Sequence, residues 1–81
     1  MNLQLLKGTY TKAEALDIVS QFVQVKIKFH ENKIEKSHQE EDVKMREARI
    51  KQLQLDFSEL KKRLSDIGDD CTLDAEIKIL P

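Results

Sequence analysis

The sequence predicts a mainly α protein: an antiparallel two-helix hairpin of coiled-coil type, with a short strand near each end of the chain, assembling into a four-helix dimer. Three observations carry this. Residues 11–36 hold two apolar stripes at helical spacing, residues 40–67 hold one, and a polar stretch separates them. The 81 residues include only two Gly and one Pro, so little interrupts long elements. One domain is expected over 1–81: strand and turn 1–10, first helix 11–36, turn 37–39, second helix 40–67, turn and short strand 68–81.

In the first segment, Leu3 and Leu5 fall on one side of an extended stretch and Asn2 and Gln4 on the other. Leu6 then runs into Lys7-Gly8, which reads as a turn. Thr11-Lys12-Ala13-Glu14 has the form of a capping box. The Thr11 hydroxyl can accept from the Glu14 amide while the Glu14 carboxylate accepts from the Thr11 amide, and Tyr10 can pack on Ala15 as a staple.

Within the first helix, Ala15, Ile18, Phe22, Val25 and Phe29 recur at alternating spacings of three and four, the period of a coiled-coil seam. Leu16, Val19, Val23, Ile27 and Ile34 form a second stripe. Val23 to Phe29 also alternates with β-branched residues, so a strand is the rival reading of that window. The stripe continues on both sides of it, which favours helix.

His30 to Asp42 is polar apart from Ile34, and Ser37-His38-Gln39-Glu40 offers a second capping box. The turn is placed here. Beyond it Val43, Ile50, Leu53, Phe57, Leu60, Leu64 and Ile67 repeat regularly, broken only by Arg46.

In an antiparallel hairpin, facing residues have position numbers of constant sum. Ala15 with Leu60, Ile18 with Phe57, Phe22 with Leu53 and Val25 with Ile50 all give 75, which sets the pivot between Ser37 and His38. The hairpin core is therefore expected from Ala15, Ile18, Phe22, Val25 and Phe29 against Ile50, Leu53, Phe57, Leu60 and Leu64. The alternative, one helix from Lys12 to Ile67, would run about 84 Å and place Asn32, Lys36, Gln39 and Arg46 in the seam of a parallel dimer. Gly68 is expected to stop the second helix in a left-handed conformation, and Glu76-Ile77-Lys78-Ile79 alternates as a strand beside the first one.

The composition, 36% charged and 40% hydrophobic with a formal net charge of -1, gives no long-range field toward nucleic acid or an anionic membrane. No apolar run approaches the roughly 20 residues of a membrane span, and Cys71 has no second cysteine to pair with, so a soluble cytoplasmic protein is expected.

No motif for catalysis stands out, and no cofactor, metal or small-molecule substrate is expected. Glu35 and His38 have the Glu-x-x-His spacing of di-metal bundles but fall at the expected turn. Asp66, Asp69, Asp70, Asp74 and Glu76 lack the glycine-containing loop of a calcium site. Cys71 has no basic neighbour to activate it.

The stripe left over once the hairpin is formed, Leu16, Val19, Val23, Ile27 and Ile34, is expected to meet a second copy of the chain. A non-enzymatic, homodimeric interaction module follows, with another protein as a further possible partner. The alternative function is a nucleic-acid- or ribosome-associated factor using the basic face of the second helix, where Lys44 to Arg63 carry seven basic against three acidic residues.

Overall fold

The computed structural model describes residues 1–81, in the order β1 (Asn2–Thr11), α1 (Lys12–Lys36), α2 (Glu40–Asp66) and β2 (Asp70–Lys78). This overturns the mainly α class. Helix accounts for 64% of the chain, but an antiparallel ribbon of ten and nine residues accounts for another 23%, so the architecture is a helical hairpin joined to a two-stranded sheet.

The strands outrun expectation because cross-strand pairing overrides the local turn signal. Lys7 and Gly8 pair with Asp74 and Leu73, and the ladder continues through Tyr10 opposite Cys71 to Thr11 opposite Asp70. It is extended at the far end by the Ile79 amide donating to the Met1 carbonyl at 2.7 Å. A break in register between Gln4 and Leu6 makes Leu5 a bulge. The bulge has a clear use. Leu6, Gly8 and Tyr10 are partly covered while their neighbours are exposed, and strict alternation would have turned Leu3 away from that face. One extra residue restores it, setting Leu3 opposite Ile77 on the side that carries Leu6 and Ala75.

α1 starts at a complete capping box: the Glu14 amide donates to the Thr11 hydroxyl at 3.1 Å and the Thr11 amide to the Glu14 carboxylate at 2.9 Å. The Lys12 amide also donates to the Asp69 carbonyl at 3.2 Å, tying the root of the ribbon to the chain leaving α2. At the other end of α1 the Ser37–His38–Gln39 link turns the chain. Ser37 and Glu40 make no capping box. Gln39 is the N-cap without a side-chain bond, and the Ser37 hydroxyl instead accepts from the Gln39 amide at 3.2 Å. α2 ends where Ile67 becomes extended, its amide donating to the Leu64 carbonyl, so Gly68 is not the left-handed stop expected of it.

α1 is the middle element. It packs against α2 on one side and against the ribbon on the other, while α2 and the ribbon do not meet. The molecule is a plate of 46 × 32 × 13 Å, and its thin dimension is close to the thickness of one helix, about 10–12 Å with side chains. Stable domains normally bury their apolar faces between two layers. This chain supplies one.

Candidate interaction surface and the polar seam

The α2 side of the hairpin seam is Val43, Arg46, Ile50, Leu53, Phe57, Leu60 and Leu64, all at least partly covered and spaced alternately by three and four. The α1 side is Leu16, Val19, Val23, Ile27, His30 and Ile34. His30, on that stripe, touches Arg46 of α2, and Leu16 shares a cleft with Leu64.

The two stripes of α1 have thus exchanged places. Leu16, Val19, Val23, Ile27 and Ile34, expected to meet a second chain, face α2 within the chain. That face is taken up within the chain. The physical cause lies at the root of the ribbon: β1 enters α1 at Thr11 and β2 returns beside it, so the turn of α1 carrying Ala15 and Ile18 is covered by strands, leaving the other stripe for α2.

Cover on the ribbon side fades along α1. Ala15 is fully buried and Ile18 is partly covered, but Phe22 is 44%, Val25 70% and Phe29 46% exposed. The ribbon departs from the helix there, leaving an open cleft of about 700 Å³ lined by Leu5, Phe22, Val25, Phe29, Ala75 and Ile77. At the ribbon tip Met1, Leu3, Ile79 and Leu80 are exposed as well. Five of the twelve exposed large hydrophobics, Leu5, Phe22, Val25, Phe29 and Ile77, line this one cleft, which makes it an apolar patch rather than scattered surface apolars. Three more, Met45, Leu55 and Ile67, lie on or just beyond α2.

The seam contains two polar residues, and they meet. Arg46 interrupts the α2 stripe, and its Nη1 donates to His30 Nδ1 at 3.2 Å while its Nε donates to Asp42 at 3.4 Å. A guanidinium is only a donor, so Nδ1 must accept; the imidazole is neutral with its proton on Nε2. Burial lowers the His30 pKa from the ordinary 6.5, and the positive charges of Lys26, Arg46 and Arg49 lower it further. The Phe29 ring packs edge-on against the imidazole at 5.6 Å. Nε2 itself is buried without a hydrogen-bond partner. The signal for this pair was present in the sequence: a constant sum near 75 places position 46 opposite positions 29 and 30, so the misfit on α2 pointed to His30.

No group of three or more His, Cys, Asp or Glu side chains is arranged to hold a metal ion, and Glu35 and His38 stand exposed at and beside the turn. Among the basic residues of α2, Lys44, Arg46 and Arg63 lie in ion pairs with acids one turn earlier. Cys71 is a partly covered free thiol opposite Tyr10. No helix is long and apolar enough to cross a membrane. Comparison with protein-family models, with curated proteins and with solved structures finds no match to this chain.

Proposed function

We propose that this protein is a non-enzymatic protein-protein interaction module that works as a homodimer, and that the paired surface is the apolar cleft between the ribbon and α1. The observation that carries this reading is the area left uncovered. A compact monomer of 9.4 kDa would expose about 5,000 Å², whereas this chain exposes 6619 Å², an excess of about 1,600 Å². Its radius of gyration, 15.3 Å, likewise exceeds the value of about 12 Å expected for a compact domain of this length.

If each of two copies covered that excess, the interface would bury about 3,200 Å² in total, inside the range of roughly 2,000–5,000 Å² found in obligate homodimers. A second copy also supplies the missing second layer. The near-neutral net charge of -1 sets no repulsion between copies. The buried apolar residues are Ala15 and Leu64 alone, so the fold requires permanent cover rather than an occasional partner.

Sedimentation equilibrium on three proteins tests this. The natural chain should sediment as a dimer, Val25→Asp as a monomer, and Leu55→Asp, on an exposed part of α2 outside the cleft, as a dimer. A monomeric natural chain overturns the reading. Dissociation by Leu55→Asp but not by Val25→Asp would move the interface elsewhere.

A further inference from the structure

All three ion pairs of the chain lie within α2: Lys44 with Glu40, Arg46 with Asp42 and Arg63 with Glu59. α1 and the ribbon, whose apolar residues line the open cleft, have none. Their charges are nevertheless divided between them. Residues 24–36 of α1 hold four lysines against two glutamates, whereas β2 holds three acids against one lysine. The division reaches the cleft itself. Its lining includes one cation, Lys26 on the α1 wall, and one anion, Glu76 on the ribbon wall, both exposed and both without an ionic partner in the chain. Lys26 instead stands over the exposed Phe29 ring at 5.3 Å, and Lys33 stands over the same ring at 5.7 Å, so cations flank the apolar surface on its α1 side.

A self-complementary surface has to satisfy these charges by symmetry. In a two-fold interface, where residue i of one copy meets residue j of the other, residue j of the first also meets residue i of the second. An axis through the middle of the cleft therefore exchanges its walls: each α1 lies over the partner's ribbon, and each ribbon over the partner's α1. Opposite charges then fall together twice. An axis through the α1 wall alone would set Lys26 against the partner's Lys26 and leave Glu76 unmatched, and like charges face to face disfavour an interface strongly.

We infer that the two copies pack about a two-fold axis through the cleft, with Lys26 of each paired to Glu76 of its partner across the walls. This rests on the homodimer reading and specifies its geometry. Burial of the apolar surface supplies most of the association, and the two reciprocal ion pairs at its margin select the register in which α1 is covered by a ribbon rather than by another α1.

Charge reversal separates a contact between copies from one within a copy. Lys26→Glu alone sets two acids together at both symmetric positions, and Glu76→Lys alone sets two lysines together. Sedimentation equilibrium should show each variant associating about tenfold or more weakly than the natural chain. Mixed in equal amounts, the two variants regain opposite charges at both positions of a heterodimer, so association should return close to the natural level. The double variant should recover it without mixing, and Lys62→Glu, at an exposed position of α2 outside the cleft, should leave association unchanged. The mixture reads the pairing even where a single variant unfolds when undocked, because only a contact between copies restores the folded dimer on mixing. Single variants that associate as tightly as the natural chain, or a mixture no better associated than its components, would overturn the pairing while the homodimer stands. A monomeric natural chain would overturn both.

Discussion

The two sides of α1 are built to different standards. Toward α2 the stripes interlock along the full hairpin, from Leu16 beside Leu64 at the open end to Ile34 and Val43 at the turn, and the one polar misfit on each helix finds the other. Toward the ribbon, cover is complete only at Ala15 and gives way to an open cleft by Val25. The first side is a continuous seam of partly covered side chains, closed at Leu64. The second has the composition of a core and the exposure of a surface, which is what half of an intermolecular core looks like in a single chain.

The sharpest way to break the α2 side is Leu64→Ala. Deleting a buried leucine side chain typically costs about 2–5 kcal/mol, and the loss should appear as a lower urea midpoint with little change in slope. Next comes the ribbon side. In an isolated chain Val25→Asp would touch nothing and change stability by less than about 0.5 kcal/mol, whereas across a dimer it buries a carboxylate and should lower the association constant at least about a hundredfold.

Thr11→Ala probes the hinge between the two sides. Losing the capping oxygen that receives the Glu14 amide should cost about 1 kcal/mol, read by thermal unfolding.

A finer change comes from pH. Because the folded pKa of His30 is held below 6.5, the unfolded chain takes up the proton first. The contribution from neutral His30 is therefore fully present above pH 6.5 and declines as pH falls from there through the folded value. His30→Leu should flatten that part of the Tm against pH curve while preserving the seam. Smallest of all, breaking the exposed Arg63–Glu59 pair with Glu59→Gln should shift stability by a few tenths of a kcal/mol or less, about what solvent-exposed pairs contribute.

What could be read in the sequence was what is decided locally or by period. The Thr11–Glu14 box lies within one helical turn, so its chemistry is fully written in four residues. The three-four spacing of Val43 to Leu64 selects one face of α2 without reference to the rest of the chain. The ribbon was another matter. Lys7-Gly8 carries a turn signal that only pairing with Leu73 and Asp74, some 65 residues away, can override, and the Leu5 bulge exists to match β1 to a strand at the other end of the chain.

The division of the two α1 stripes was illegible for a different reason. Ala15-Ile18-Phe22 and Leu16-Val19-Val23 share one period, and a constant-sum argument accommodates either. The choice was made at Thr11, where the ribbon roots and covers the first turns on one side. Gly68 shows the limit of residue identity alone: Ile67 had already turned the chain into an extended conformation, so the glycine's left-handed freedom was not used.

The claim that the chain is half of a larger core is tested most directly by the concentration dependence of its thermal unfolding. Partner binding to the folded state makes Tm depend on protein concentration, so raising the natural chain from about 5 to 500 μM should raise Tm by several degrees, and Val25→Asp should abolish the dependence. A Tm that stays constant across that range in the natural chain would contradict the account.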